Sequence, residues 1–379
     1  MDFSEKRPLQ LLRQMVSEFA AREVLPFVEE LSRPEGNFPY QLIRRIGELG
    51  LIGMSIPPEY GGNNMGHLAR MIAIEEAAYC YPSLGTNLRG INIVPYVIAN
   101  FGTPGQKERF LRPLCQGEIM SSLVTTEQTG GSEPQSIQTT ARRVGNEYVI
   151  SGRKVMISRG NSSQLLLISA KVNGRITAFL VEKGMPGLIP GRQEKLASVT
   201  AFSPVDEVIL DECRVPAENM IGSEGRGLGP ILAGINAVGR AGGAAACLGI
   251  ARFSYDVALK YAKERQLYGK PLANLQSIAF WLAEMALNIE VGRMLNYKFA
   301  WLLDQGKSPR EASVAGAMAK LHASQSAIAT TLKAIEIHGG YGTAKEYKII
   351  QRMHVALDML SAAGSDNVMR QAIAREILA

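Results

Sequence analysis

The order of local patterns along the chain constrains its fold more than any other feature. Residues 1–120 show helical periodicity, with apolar residues such as Leu12, Val16 and Phe19 recurring on one face. Residues 121–223 change to short β-rich segments separated by glycine or asparagine, and residues 224–379 return to long helical blocks. A chain of 379 residues is too long for one simple core. The pattern therefore predicts a mainly α, α+β protein with an N-terminal helical domain (1–120), a middle β domain (121–223) and a C-terminal helical bundle (224–379).

The middle region predicts an antiparallel barrel or sandwich, because no crossover helices separate its strands. Strands are expected at residues 148–151, 165–170, 176–181 and 208–210, and Asn173-Gly174 is typical of a hairpin turn. The helical blocks of the last region are expected at residues 231–264, 277–305, 309–337 and 368–378. Five glycines in the first block indicate close approach by a neighbouring helix or a ligand: Gly234, Gly239, Gly242, Gly243 and Gly249.

Composition excludes several classes of function. Charged residues make up 20% and hydrophobic residues 46% of the chain, which is ordinary for a globular protein and excludes wholesale disorder. The net charge of +6 suits an anionic ligand or a solvated surface, and no basic run with interleaved aromatics indicates nucleic-acid binding.

Targeting and metal signals are missing as well. The N-terminus MDFSEKRPLQ has acids at positions 2 and 5 and no apolar core of signal-peptide length, and no stretch reaches the roughly 18 uninterrupted apolar residues of a membrane helix. Cys80, Cys115, Cys213 and Cys247 lie far apart without metal spacing. We expect a cytoplasmic protein with reduced thiols and no metal site.

Several motifs occur in order along the chain. They are TTEQTGGSE at residues 125–133, GRKVMISRG at 152–160, RQLYGKP at 265–271 followed by Gln276, the turn GGYG at 339–342, Glu346-Tyr347, and AREIL at 374–378. In sequence and spacing they resemble the landmarks of flavin-dependent acyl-CoA dehydrogenases, over essentially the whole length. The resemblance implies N-terminal helices, a middle β-barrel domain and a C-terminal four-helix bundle. It also implies non-covalently bound FAD, an acyl thioester of CoA or a carrier protein as substrate, and a homotetramer or homodimer.

The first two motifs resemble the family's flavin-contacting loop and strand. A glycine-rich loop lets the backbone approach a planar ligand, and the resemblance assigns Thr126, Gly131 and Ser132 to the flavin and the pantetheine arm. Two residues of that loop depart from the pattern: glutamine at 128 replaces a proline, and glutamate at 133 an aspartate. In the strand, Met156 replaces the tryptophan that covers the flavin, and a polarizable thioether can still pack on a ring. Ser158 keeps the hydroxyl that bonds the flavin edge.

The third motif is the most specific cofactor signal. In the family its arginine, here Arg265, and the following Gln276 reach the FAD of a neighbouring subunit, and an aromatic residue stands where Tyr268 does. An arginine offers a permanently charged fork for pyrophosphate. The resemblance also assigns the turn Gly339-Gly340, the position of Glu336 and Ser365 to the cofactor. Glu336 replaces a glutamine, and because an ionised carboxylate only accepts hydrogen bonds, we expect weaker binding unless it is protonated or meets a basic partner.

The catalytic base is missing from both positions that the family uses. In the C-terminal loop Ala363 stands where many members carry a glutamate, and in the long helix Gly239 stands before Arg240 where others carry one. A backbone N–H at Ala363 can still polarise a thioester carbonyl. The resemblance thus assigns Ser132, Arg240 and Ala363 to the substrate and leaves the catalytic residue unknown.

Other residues could replace the base or shape the pocket. Asp366 and Asp358 flank Ala363, but we expect Asp366 to cap the last helix. His354 and Val355 replace an Arg-Asp pair that is structural in the family. Three residues fall where members shape the acyl pocket, although core packing or surface placement is the simpler explanation for each of them: Tyr79, Tyr81 and Arg89.

Three functional hypotheses remain open. The chain is a flavin oxidoreductase acting on an acyl thioester, with an atypical or substrate-supplied base. Alternatively it carries out base-free elimination, decarboxylation or alkene reduction on the same scaffold, or it is a non-catalytic partner subunit of a mixed oligomer.

Overall fold

The computed structural model describes residues 6–307 and 309–378. The acids at positions 2 and 5 lie outside the described residues. Contacts divide the chain into two compact units. We call Met1–Pro26, His67–Thr86 and Arg240–Ala379 the helical unit, and Phe27–Gly66 with Asn87–Gly239 the sheet unit. The domain boundaries expected near residues 120 and 223 stay predictions.

The helices follow the predicted pattern. In chain order they are α1 (Arg7–Phe19), α2 (Val28–Leu31), α3 (Tyr40–Glu48), α4 (Gly66–Cys80), α5 (Pro82–Ile91), α6 (Ile93–Phe101), α7 (Pro104–Cys115), α8 (Leu228–Gly234), α9 (Ala241–Glu264), α10 (Gln276–Asp304), α11 (Pro309–His338), α12 (Ile349–Asp358) and α13 (Asp366–Ile377). A π-helical turn, Ile235–Arg240, connects α8 to α9.

The strands cluster in the middle of the chain. They are β1 (Ser121–Val124), β2 (Thr140–Val144), β3 (Glu147–Ser158), β4 (Leu165–Val172), β5 (Arg175–Glu182), β6 (Leu188–Gln193), β7 (Val205–Pro216) and β8 (Met220–Ile221), with a small hairpin β9 (Gln266–Leu267) and β10 (Lys270–Pro271).

Strands β1–β8 form one sheet in the order β6-β7-β3-β2-β4-β5-β8, with β1 beside β4. Most pairings are antiparallel, as predicted, but β1 and β2 pair with β4 in parallel, so the sheet is mixed. The hairpin at Asn173-Gly174 is confirmed: both residues have positive φ, and Val172 pairs with Arg175. Apolar side chains such as Ile150, Ile168 and Phe179, which are fully buried, form the core of this unit.

In the helical unit, long helices pack through small residues. Gly249 on α9 lies so close to α4 that an added Cβ would stand 2.2 Å from the backbone oxygen of Glu75. At this position the predicted close approach is therefore to a neighbouring helix. One continuous helix, Leu228–Glu264, is long and apolar enough to cross a membrane, but 78% of its most apolar stretch is buried inside the protein, which is typical of a core helix.

Candidate active site

The loop after β1 is held by a buried ion pair. Glu127 is 5% exposed, and its carboxylate accepts hydrogen bonds from Lys154 Nζ at 2.7 Å, from the Thr139 hydroxyl at 2.6 Å and from two backbone N–H groups. Burial acts to raise the pKa of Glu127, but these hydrogen bonds outweigh it and hold that pKa below its usual value. Burial lowers the pKa of Lys154 to about 8, although Glu127 acts against this shift. The pair fixes the loop that the sequence assigned to the flavin.

Sequence reasoning gave neither Glu127 nor Lys154 a role. The signal was present, because the adjacent charges Arg153 and Lys154 lie inside β3, and neighbouring side chains of a strand point to opposite faces, so that one of the two must face the core. A charge at such a position calls for a buried partner.

Two of the predicted loop residues line one small cavity. A cavity of about 40 Å³ in the sheet unit is lined by Thr126 and Gly131, together with Thr125, Ser169 and apolar residues including Ile137 and Leu228. Gly131 lies against Thr126: a Cβ there would stand 3.3 Å from the threonine methyl. Ser132 is exposed and does not line this cavity. The structure thus brings Thr126 and Gly131 together and leaves Ser132 on the loop surface.

Met156 lies at an irregularity of β3. The register with β7 shifts between Lys154 and Ile157, and Met156 has a φ of 58°. Such a φ is unusual for a residue with a side chain, and residues of this kind cluster at functional sites. Met156 remains 48% exposed. Two residues on, Ser158 is half-buried and its carbonyl accepts a hydrogen bond from the Ser122 hydroxyl at 2.6 Å.

Most of the predicted cofactor residues of the helical unit surround one larger cavity. Its volume is about 610 Å³, and its lining includes Arg265, Glu336, Gly339 and Gly340. Gly339 has a φ of 61°, and an added Cβ at Gly339 or Gly340 would meet no atom within 4 Å, so the turn leaves its face open. Gln276 is the exposed first residue of α10, between the lining residues Leu275 and Ser277.

Tyr268 does not line this cavity. It is 84% exposed at the tip of the β9–β10 hairpin, with a φ of 52°. The two-residue turn Tyr268-Gly269, with positive φ at both positions, is the one that short hairpins favour. The conformation presents the tyrosine ring to the surroundings of this unit.

Glu336 has a basic partner. Its carboxylate accepts a hydrogen bond from Lys333 Nζ at 2.7 Å, one turn earlier on α11. Glu336 therefore has the basic partner that would offset the weaker cofactor binding expected from a glutamate at this position. Lys333 also lies over the Trp281 ring, 4.1 Å from its centre.

His338 is a lining residue that sequence reasoning missed. Its ring stacks on Tyr261 with 4.2 Å between centres, and Nδ1 lies 2.7 Å from the Ala334 carbonyl oxygen. Burial lowers the pKa of His338, so the neutral ring is favoured. Its Nε2 is buried and has no hydrogen-bond partner among the described residues. An orphaned polar atom beside an open glycine turn, with an arginine on the lining, fits a cavity that takes a polar cofactor.

The C-terminal loop contains an alanine in a strained conformation. Ala363 has a φ of 58° and the next residue, Gly364, a φ of 100°. The Ala363 carbonyl accepts a hydrogen bond from Arg240 Nε at 3.4 Å, and Arg240 is itself buried, which lowers its pKa. Arg240 and Ala363, two of the residues assigned to the substrate, are therefore in direct contact. The other position of the family's base, Gly239, is buried in the π-helical turn, a feature common at functional sites.

Ser365, not Asp366, caps the last helix. The Ser365 hydroxyl accepts a hydrogen bond from the Val368 backbone N–H at 3.4 Å, which corrects the expected capping role of Asp366. Asp366 is buried in the first turn, where Oδ1 accepts from Lys320 Nζ at 2.7 Å and from the Ser324 hydroxyl at 2.8 Å. Val355 packs into the apolar core of this unit, which agrees with a lost structural ion pair.

Comparison with known proteins decides the family. The chain matches three family descriptions: "Acyl-CoA dehydrogenase, N-terminal domain" over residues 7–118, "middle domain" over 122–213 and "C-terminal domain" over 225–378. The chain belongs to the acyl-CoA dehydrogenase family. Its fold is the three-domain fold of that family, and it is a flavoenzyme of the acyl-CoA dehydrogenase type with FAD as its cofactor.

Individual relatives cover the whole chain. An acryloyl-CoA reductase (NADH) of Anaerotignum propionicum is 36% identical, covering 100% of this chain and 96% of that protein. A butyryl-CoA dehydrogenase structure from Megasphaera elsdenii is 32% identical with a TM-score of 0.95, covering 100% of both chains. The prolyl acyl carrier protein oxidase AnaB is 27% identical with a TM-score of 0.93, covering 99% of this chain and 100% of that one.

Proposed function

We propose that this flavoenzyme transforms an acyl thioester without a protein carboxylate at either position where its family holds the general base. The observation that carries the proposal is the C-terminal loop. Position 363 is an alanine with a positive φ, and its carbonyl accepts a hydrogen bond from Arg240. Asp366, the acid nearest to it in sequence on the C-terminal side, is held by Lys320 and Ser324.

The residues of this chain have separate roles in the proposal. In the proposal the flavin ring is contacted by Thr126, Gly131, Ser132, Met156 and Ser158. Ser132 also contacts the substrate. Arg265 and Gln276 would hold the dinucleotide part of FAD on a neighbouring copy. The other cofactor residues of the helical unit would be Tyr268, Glu336, Gly339, Gly340 and Ser365. Bound FAD would supply the acceptor for the hydride of the β-carbon. The backbone N–H of Ala363 polarises the thioester carbonyl, and Arg240 holds the loop through its carbonyl.

Removal of the α-proton is the step for which neither family position supplies a carboxylate. A positioned general base contributes about 10²–10⁴ in rate. We therefore expect slow oxidation of simple saturated thioesters and faster reaction of a substrate whose α-proton is more acidic or that carries its own base. The test is anaerobic flavin bleaching with a panel of thioesters. Brisk bleaching by butyryl-CoA or octanoyl-CoA would contradict the proposal.

Reduction of an alkene is the second candidate. It is supported by the relatives named acryloyl-CoA reductase (NADH), at 36% identity, and 3-(aryl)acrylate reductase, at 32%. In that direction a hydride is added to the β-carbon and the α-carbon takes up a proton, which solvent water can supply, so an alanine at position 363 is less costly. Chemically reduced protein should be reoxidised by an α,β-unsaturated acyl-CoA under anaerobic conditions if this candidate is correct. Loss of carbon dioxide or sulfite from a β-acidic thioester is a further base-free reaction, and release of either product on incubation with such a thioester would test it.

We also propose that the protein is a homotetramer or homodimer in the cytoplasm. Four exposed apolar side chains recur along one face of α10, between 37% and 63% exposed: Phe280, Leu287, Val291 and Met294. Spacings of seven, four and three residues place them on a single stripe. We propose that a second copy covers this stripe, which light scattering coupled to size-exclusion chromatography would test.

A further inference from the structure

The loop that carries Ala363 is tied at both ends to one buried lysine. Residues 359–365 connect α12 to α13. Lys320 of α11 is 2% exposed, and its Nζ donates to the Leu360 carbonyl oxygen at 3.2 Å and to Asp366 Oδ1 at 2.7 Å. The Asp366 backbone N–H donates to the same Leu360 carbonyl at 2.9 Å. Leu360 and Asp366 therefore close the loop on each other, and the ammonium group holds both of them to α11.

The middle of the loop has a contact of its own. Ala363 lies midway between Leu360 and Asp366, and its carbonyl accepts a hydrogen bond from Arg240 Nε at 3.4 Å. Gly364 lies beside the same guanidinium, since an added Cβ there would stand 3.8 Å from Arg240 Nη2. Among the described residues, the Ala363 N–H donates to no backbone carbonyl. The loop is thus held through its ends and through one carbonyl, which leaves the N–H of Ala363 available to a ligand.

The backbone at Ala363 needs support from outside the loop. Its φ of 58° is unfavourable for a residue with a Cβ, and such a conformation persists only where surrounding contacts hold it. Those contacts come from Lys320 and from the Ser324 hydroxyl, which donates to Asp366 Oδ1 at 2.8 Å. A buried ion pair often stabilises a fold no better than packed apolar side chains would. The pair of Lys320 and Asp366 is therefore better explained by the conformation that it imposes on the loop.

We propose that Lys320 is a positioning residue: by anchoring both ends of the loop, it directs the Ala363 N–H at the carbonyl oxygen of the thioester. The inference rests on the proposed function, in which this N–H polarises that carbonyl. A backbone donor stabilises developing charge only when its direction is fixed before the reaction, and a displacement of about 1 Å can cost about 10²-fold in rate. Lys320 acts through the loop and takes no part in the redox step.

The experiment compares Lys320→Met with the unmodified protein, both loaded with oxidised FAD. Infrared difference spectra record the carbonyl stretch of crotonyl-CoA that is isotopically labelled at the thioester carbonyl. This ligand is already unsaturated and oxidised flavin cannot reduce it, so it stays intact in the complex. In the unmodified protein we expect the stretch to lie below that of the free ligand, and in Lys320→Met we expect most of this shift to be lost. Reoxidation of chemically reduced protein by crotonyl-CoA should slow by about 10²-fold, with little change in the dissociation constant.

The matched control is Thr331→Val. Thr331 is buried on α11, about three helical turns from Lys320, and its hydroxyl lies 3.0 Å from the Ser254 hydroxyl. This variant loses a buried polar contact of the same helix without touching the loop. Its free energy of unfolding should fall, while the carbonyl shift and the rate stay unchanged. If Lys320→Met does not fold because Asp366 is left unpaired, the double variant Lys320→Met, Asp366→Asn removes both charges together and gives the same readout.

Each other outcome overturns the inference in a recognisable way. If Lys320→Met keeps the full carbonyl shift and loses only stability, as the control does, the lysine serves only to hold the helices together, and the proposed function stands. Weaker binding of crotonyl-CoA and of CoA alone, with the shift retained, shows that the lysine shapes the ligand pocket as a whole. If crotonyl-CoA binds the unmodified protein without any carbonyl shift, the Ala363 N–H does not polarise the thioester, and that part of the proposed function fails together with the inference.

Discussion

The predicted site residues lie largely on two loops, and the two loops differ in which of the family's functional groups they retain. The loop at residues 125–132 is fixed by the buried pair of Glu127 and Lys154. The loop at residues 359–365 has a backbone with positive φ at Ala363 and a helix cap at Ser365. It has no carboxylate at the position where the family holds its base. The groups proposed to bind cofactor and thioester therefore remain while the proton-accepting group is lost, and variants of each loop can test this separation.

Restoring the carboxylate at Ala363 should have the largest effect. Ala363→Glu puts a carboxylate where many members hold theirs, next to Gly364 and Ser365. Because a positioned base is worth about 10²–10⁴ in rate, we expect flavin reduction by short or medium saturated acyl-CoAs to accelerate by that factor. The measurement is stopped-flow bleaching of the flavin under anaerobic conditions.

Ala363→Gln is the matched control, because it has nearly the same shape and cannot accept the proton. It should react as slowly as the unmodified protein. If Ala363→Glu folds and binds FAD but is not bleached by any thioester, the acyl pocket has been adapted to other chemistry. Gly239→Glu is a less favourable route, since that position is buried and overpacking costs about 1–3 kcal/mol.

The first loop should be sensitive to loss of its ion pair. Lys154→Met leaves the buried carboxylate of Glu127 without its cation, which costs about 3–5 kcal/mol when one partner of a buried pair is removed. We expect this loss in the free energy of unfolding, measured by urea denaturation, together with weaker FAD binding.

Arg142→Met controls for removal of a cation from the same sheet, and its exposed pair with Glu212 should contribute less than about 1 kcal/mol. The double variant Glu127→Gln, Lys154→Met should recover part of the stability, because no charge is then left unpaired. A single variant as stable as the unmodified protein would show that the loop is held by its backbone alone.

Features that depend on local spacing could be predicted from the sequence, whereas features that depend on long-range contacts could not. Helical periodicity, the turn at Asn173-Gly174 and the motifs gave the fold and the family, because these features depend on local spacing. The parallel pairing of β1 with β4 and the partner of Asp366 were not predictable, since Ser121 pairs with Leu165 and Lys320 lies 46 residues before Asp366. Long-range contacts bring these residues together, and no local pattern records them.

Arg265 tests whether the cofactor site is shared between copies. Arg265→Ala removes an exposed cation from the lining of the larger cavity. A charge-assisted hydrogen bond is worth roughly 1.5–3 kcal/mol, so we expect FAD to bind roughly 10–100-fold more weakly, and assembly to weaken with it. FAD content and light scattering measure the two effects.

Arg370→Ala serves as the control, because that exposed guanidinium donates to Asn367 in the same helical unit and lies outside the cavity. Full FAD occupancy and an unchanged oligomer in Arg265→Ala would show that the site is not shared.

The smallest expected effect concerns the backbone of the second loop. Ala363 has a φ of 58°, a region that costs a residue with a Cβ about 1–2 kcal/mol. Ala363→Gly relieves this strain, but glycine gains about 0.4–1 kcal/mol of conformational freedom in the unfolded chain. We expect a net stabilisation of about 0.5 kcal/mol, measured as a shift of the urea midpoint at constant slope. Asn173→Gly is the control, since asparagine tolerates the left-handed region and should gain little. The variant keeps the backbone N–H at position 363, so thioester binding should not change. A fall in thioester affinity would mean that the methyl group itself contacts the substrate, and the loop would then have kept a side-chain function after losing its base.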